Sequence, residues 1–271
     1  LHEVKERRNE MRKILVFLLT LFLFAPALVF SNTVTLKLGV FIPTAKSDLW
    51  DTEFSQMSLK KSDYYNTNFG FAFEYFVTRE LSLMLSIDSY SKNKLGYYKD
   101  YVGYTAETLG TDEDFAFPKN YEGEFDPCHT FNVSITPIQA SLKLLPLGRR
   151  GKLIPYVGGG VGVYLWNVRL LNDLIDFSDE WTYTDPDTSE EVPIYPIRYA
   201  DIREENRLSI GYHAFGGIMV PIANRTTVEL EVKYNMIKAK FQEKDPTQGF
   251  WGFGAFDLGG YQLSIGINYW F

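Results

Sequence analysis

Beyond residue 31 two of the three histidines remain, the side chains best suited to moving a proton, and a general base works only with a nucleophile or water in hydrogen-bond reach. His129 follows Cys128 and lies near Asp126, but no His-x-Ser or similar nucleophile arrangement accompanies it. His213 precedes Ala214 and Phe215 and is expected inside the fold. Neither has a local partner, so the expectation is a non-enzyme with no catalytic residue. Cys128, the single cysteine, cannot close an internal disulfide and lies far from any N-terminal lipid-anchor position. It reads as an incidental or buried thiol in a loop.

Carboxylates gather in two polar stretches: Asp112, Glu113, Asp114, Glu122, Glu124 and Asp126 in one, and Asp173, Asp176, Asp179, Glu180, Asp185, Asp187, Glu190 and Glu191 in the other. Such clusters can attract Ca²⁺ or Mg²⁺. The segment from Asp185, however, has Glu190 where a calcium loop needs glycine and Pro196 at its twelfth position. Solvated loop charge is the expectation, with no metal site and no cofactor. Trp181, Tyr183, Tyr195 and Tyr199 stand among these acids and would suit a recognition surface. The glycine run from Gly158 to Gly162 lacks both the spacing and the following helix of a phosphate loop. It reads as small inward residues that leave room for long side chains.

A third set of charges is spaced along apolar stretches. Lys37 stands between Leu36 and Leu38, Glu74 between Phe73 and Tyr75, Asp88 after Ile87, and Glu229, Glu231 and Lys233 alternate with Leu230 and Val232; His213 joins the same set. Charge on one face and hydrocarbon on the other, with period two, means a strand with two different surroundings. Eight segments carry the pattern: 34–42, 69–77, 81–87, 131–145, 153–168, 208–221, 226–241 and 256–271. In 131–145 the phase passes from Val133 and Ile135 to Ala140, Leu142 and Leu144, so a bulge is expected at Pro137.

The connections alternate between short (78–80, 146–152, 222–225) and long (45–68, 91–130, 169–207, 242–255). In membrane barrels short turns are periplasmic and long loops external. A spanning sheet with a free edge would leave unpaired amides in hydrocarbon, so the sheet must close. The fold expected is therefore all-β: a closed, antiparallel, up-and-down transmembrane β-barrel of about eight strands. Its greasy residues face lipid, and Lys37, Glu74, Asp88, His213, Glu229, Glu231 and Lys233 form a polar network in the lumen, where an unpaired ion is severely destabilising. Counting up from the turns puts Lys37 and Glu74 at similar depth, so they are expected to pair, with Glu229 or Glu231 close by. Tyr156 and Trp166 are separated by roughly 25 Å along the membrane normal for a strand tilted near 40°. They could mark the two interfaces, unless Tyr156, which shares a face with the glycines, points inward. Side chains fill the interior of an eight-stranded ring, so no wide pore is expected.

Residues 1–10 precede a start-like Met11 and read as an upstream, mis-set start. Residues 11–31 combine Met-Arg-Lys, an apolar run from Ile14 to Phe24, and Ala25-Pro26-Ala27 before Ser31, the layout of a signal peptide. The rival reading, a spanning helix, needs about 20 apolar residues, and Pro26 interrupts this run. Residues 32–271 are left for the barrel. A net charge of -7 excludes nucleic acid as a partner, since phosphates require a basic face.

Tyr269 and Phe271, with aliphatic residues at alternate positions upstream, resemble the C-terminal signature by which bacterial outer-membrane barrels are recognised for insertion. Pro155-Tyr156-Val157-Gly158-Gly159-Gly160-Val161-Gly162-Val163-Tyr164 resembles a strand of small outer-membrane barrels of the OmpW and OmpA-barrel type. The resemblance implies a Gram-negative outer-membrane location and contact with outer-membrane lipid. It also implies an insertion signal at Tyr269 and Phe271, used by the barrel-assembly machinery and periplasmic chaperones. The function implied is a structural barrel or narrow passive channel for small, even hydrophobic, solutes. The alternative is a recognition or adhesion barrel whose long loops bind an external partner.

Overall fold

The alternation builds eight long strands: β1 (Thr33–Pro43), β2 (Asn66–Phe76), β3 (Leu81–Tyr97), β4 (Cys128–Leu144), β5 (Ile154–Ile175), β6 (Glu191–Ala223), β7 (Thr226–Met236) and β8 (Gly260–Trp270). The computed structural model describes residues 32–242 and 249–271. The segments read as an upstream start and a signal peptide lie outside the described residues.

Each strand pairs antiparallel with its neighbour in the chain, and β8 returns to β1, with Leu38 opposite Ile265 on one side and Phe69 on the other. Closure satisfies every edge and leaves an outer wall of hydrocarbon: Leu36 is 65 % exposed and Ile265 57 %. Among the described residues no helix is long and apolar enough to cross a membrane. The strands do the crossing, because neighbouring strands pair all round the ring and the outward side chains of its middle belt are apolar.

At the turn end the connections are tight. Val77 and Thr78 both donate their amides to the Leu81 carbonyl, and the Thr78 hydroxyl accepts from the amides of Glu80 and Leu81. At the loop end much of what reads as loop is strand. β5 and β6 stay paired from Val168 opposite Glu204 to Ile175 opposite Ile197, beyond a bulge at Trp166 and Val168. Trp181–Thr184 then pairs with 191–194, while Asp114–Pro118 and Tyr101–Tyr104 add further strands beside β6. Val102, Phe115, Phe117 and Ile194 give this outer sheet its own small core. Charge density hid these strands, because their buried residues come in short runs such as Phe115-Ala116-Phe117 that show no apolar alternation.

Pro137 makes no bulge. β4 keeps one register with β5 from His129 opposite Asn172 to Leu144 opposite Val157, and Val133, Ile135, Gln139, Ser141 and Lys143 all face inward. What changes at Pro137 is the interior, which passes from apolar to polar while the strand runs on unbroken.

Candidate functional site in the barrel lumen

The lumen is stacked in layers. At the turn end Phe76, Met84, Leu145, Ile154 and Tyr156 form an apolar floor. Trp270 stacks on Phe76 with ring centroids 5.3 Å apart, and the Arg149 guanidinium lies 4.4 Å from the Phe76 ring centre.

Above the floor lies the polar layer. Lys37 Nζ donates to both carboxylate oxygens of Glu231 at 2.8 Å and lies 3.3 Å from Glu229. Lys143 reaches Glu74 at 3.0 Å and sits 4.1 Å from the centre of the Tyr156 ring, and Ser82 also donates to Glu74. Lys233 bonds Asp88 at 2.8 Å and the Gln139 side-chain carbonyl at 2.9 Å; Gln139 in turn donates to Tyr164 and Asn235. All seven ionised side chains of this layer are at most 5 % exposed. Charges so enclosed require hydrogen-bonded partners of opposite sign.

Lys37 and Glu74 both face the lumen but do not pair with each other. Lys37 is level with Gly70 on β2, while Glu74 is level with Thr33. Counting from the turns ignores the slant of the strands, which moves equal counts to different heights. Partners instead meet across an intervening strand over a small residue, Ser82 for Lys143 and Glu74 and a glycine in other pairs. Gly266 lies opposite both Lys37 and Glu229, Gly217 opposite both Tyr156 and Glu231, and Gly160 opposite both Ser141 and His213. A methyl group at Gly217 would collide with the Tyr156 hydroxyl and one at Gly266 with Glu229. Such a glycine, Gly160 in the run or Gly217 and Gly266 outside it, is clearance between flanking strands. It was the signal available in the sequence for partners two strands apart.

His213 lies 2.7 Å from the Ser141 hydroxyl, a contact between side chains far apart in the chain, and its Nδ1 has no partner among the described residues. Serine and histidine are thus adjacent, but both are closed in by the floor below and the apolar layer above. The void at the upper boundary of the polar layer, lined by Phe41, Asn68, Asp88, Tyr164 and Gln262, measures about 10 Å³, room for one water at most.

The upper layer holds Phe41, Phe131, Val133, Ile135, Tyr164 and Trp166 and is roofed by helix α1 (Asp48–Gln56). Asp48 and Asp51 favour the helix N-terminus by opposing its dipole. Leu49 and Trp50 turn into the barrel. Trp50 packs edge-on against Tyr64 at 4.8 Å and Phe131 at 5.2 Å and stacks on Phe256 at 5.3 Å, while its indole N–H donates to the Asp257 carbonyl. His129 is not on an open rim. It is 2 % exposed, its Nε2 lies 2.8 Å from Glu53 of α1, and its Nδ1 lies 3.3 Å from the Asp173 carbonyl. Cys128 begins β4 and is no loop residue; burial, with Asp173 beside it, pushes its thiol up.

Tyr156 and Trp166, 2 % and 1 % exposed, both point inward and mark no interface. The interface rings are Tyr212, Tyr234 and Tyr261 toward the loops, with Tyr234 and Tyr261 4.7 Å apart, and Tyr269 and Phe271 toward the turns. The outer acids have defined partners. Thr108 and Thr105 donate to Glu124 and hold its carboxyl below the usual range; the amides of Asp187 and Thr188 do the same for Asp185. Arg198 bonds Asp176 and Asp179. Among the described residues no group of three or more His, Cys, Asp or Glu could hold a metal ion. Tyr183 packs on Phe117, Tyr195 on Tyr101 and Trp181 edge-on against Phe115, with the Trp181 indole N–H donating to Asp179; of the four loop aromatics Tyr199 is the most exposed at 74 %, and Trp181 still shows 52 %.

A ring of eight tilted strands with hydrocarbon outside and ion pairs inside defines an integral outer-membrane β-barrel of the small, up-and-down class. No family profile matches the chain and no curated protein matches it. Solved structures similar to it include the outer membrane protein OprG of Pseudomonas aeruginosa, at 13 % identity and a TM-score of 0.48 over 89 % of this chain and 95 % of that one. Neisserial surface protein A is similar at 13 % identity and a TM-score of 0.43 over 89 % and 97 %. Ail of Yersinia pestis is similar at 8 % identity and a TM-score of 0.39 over 89 % and 98 %.

Proposed function

We propose that this barrel is a closed, non-enzymatic anchor in the outer membrane whose work is done by the sheet at its loop end, as a surface recognition module. The observation that carries this reading is the layered lumen: an apolar floor, an ion-paired middle and an aromatic roof pinned by Trp50. A channel for small solutes would need a continuous polar path, and the two apolar layers interrupt it. A non-catalytic role fits the histidines, each enclosed and bonded to structural partners. The outer sheet, with its own core and with Trp181 and Tyr199 presented to solvent, is built to hold a binding surface rigid. Insertion by the assembly machinery through Tyr269 and Phe271 belongs to the same reading.

Planar-bilayer recording of the folded protein tests it, and no discrete openings are expected at neutral pH. Steady unitary currents that survive deletion of 178–190 would overturn it in favour of a narrow channel.

A further inference from the structure

Above the lipid-facing belt the outer wall turns polar across β3, β4 and β5. The outward row Ile87, Ile138 and Val163 is apolar and level across β3, β4 and β5. Two steps higher along each strand than the Thr136 level the outward residues become Ser91, Ser134 and Asn167, and then Asn93, Asn132 and Arg169. At about 2.5 Å of height per residue for strands tilted near 40°, Asn132 stands roughly 30 Å above Leu144. That places it just past a hydrocarbon band about 25 Å tall, at headgroup level.

The wall is not flat there. A recess of about 380 Å³ opens among Asn93, Thr130, Asn132, Asn167, Arg169 and Asn206. The bulge in the β5–β6 pairing shapes it: Asn206 adopts a left-handed conformation with φ 54°, and its amide donates to the Asn167 side chain at 2.6 Å. Asn167 also donates to Ser134 at 3.0 Å. Arg169 is neutralised by Asp201 through two bonds of 2.8 and 3.0 Å, and Glu205 faces Arg203 at 3.7 Å. The recess therefore carries little net charge. The side-chain amides of Asn93 and Asn132 make no side-chain hydrogen bond among the described residues, and each offers both donor and acceptor into the recess.

We propose that this recess binds the saccharide headgroup of a glycolipid in the leaflet at the loop end, with the acyl chains lying along the Ile87, Ile138 and Val163 face. Balanced charge disfavours a bare phosphate. Paired donors and acceptors suit ring hydroxyls, and continuity with the apolar belt selects a lipid-borne sugar over a free one. The proposal rests on the outer-membrane reading and is independent of what the outer sheet recognises.

The test uses the full folded chain in detergent micelles, each sample first checked by heat-modifiability on a gel. Native mass spectrometry then measures retention of rough lipopolysaccharide, phosphatidylglycerol and the delipidated core oligosaccharide. Lipopolysaccharide is expected to be retained at least tenfold over the other two, and the double variant N93L/N132L to lose at least fivefold of that retention. The milder N132S, which removes no internal hydrogen bond, is expected to lose part of it and guards against a folding defect in the double variant. Equal retention by the variants, equal binding of the free oligosaccharide, or no preference over phosphatidylglycerol in a heat-modifiable sample would overturn the glycolipid site and leave the barrel standing. Absence of heat-modifiability in the parent protein would instead remove the barrel reading and the site with it.

Discussion

Lys37 reaches over Gly266 to hold two carboxylates, Glu229 and Glu231, that project side by side from β7, so its removal should cost far more than a surface charge would. Truncating one partner of a buried ion cluster typically costs about 3–5 kcal/mol, because the remaining charge is left unpaired. Lys37→Met is expected to lower stability by roughly that amount in urea titrations followed by the heat-modifiable band, and adding Glu231→Gln should restore at least half of it. An unchanged midpoint for Lys37→Met would mean that the lumen charges are solvated. At this scale the sequence disclosed which residues face inward, because alternation alone decides that for Lys37, Glu74, Asp88, Glu231 and Lys233. It did not disclose partners. Lys37 meets Glu231 of β7 over β8, and Lys143 meets Glu74 of β2 over β3. Such pairs depend on strand slant and on a small residue between them, which a count along one strand does not contain.

The elements differ in how plainly they were written. β8 and β7 alternate without interruption, and the structure keeps both faces as read, although β7 ends at Met236 rather than 241 and β8 begins at Gly260 rather than 256. β4 misled because one inward face serves two layers, with Phe131, Val133 and Ile135 in the apolar roof and Gln139, Ser141 and Lys143 in the polar middle. Helix α1 had no signal of its own: nine residues with two acids in the first turn look like loop, and only its docking of Trp50 into the aromatic roof explains why it forms. Short helices in isolation are marginal, so tertiary packing must hold this one. Trp50→Ala should therefore release α1 without opening the ring. Removing a fully buried tryptophan costs about 3–5 kcal/mol, and that loss is expected to appear as fast amide exchange over 48–56, with strand amides still protected and bilayers still silent. Loss of protection throughout β1 to β8 would show instead that roof and ring fold as one unit.

For the whole molecule the governing fact is that polarity is reversed: ions at the centre, leucine and isoleucine outside. This arrangement is stable only where the surroundings are hydrocarbon, and it makes the cost of an outward charge depend on depth. A lysine at the bilayer midplane of a barrel wall costs about 2–4 kcal/mol, and near an interface about 0–1 kcal/mol. On β8 the outward residues Tyr261, Ile265 and Tyr269 run from one aromatic ring of the wall to the other, each about half exposed in the bare chain. Ile265→Lys is thus expected to destabilise the barrel by roughly 2–4 kcal/mol in lipid vesicles, and Tyr261→Lys by about 1 kcal/mol or less beyond the loss of its ring contact with Tyr234. In a water-soluble sheet of the same shape, equal exposure at the two positions would give equal and small costs. A flat profile along β8 would therefore contradict membrane burial of this wall, whereas a peak at Ile265 fixes the midplane and with it the height of the polar recess.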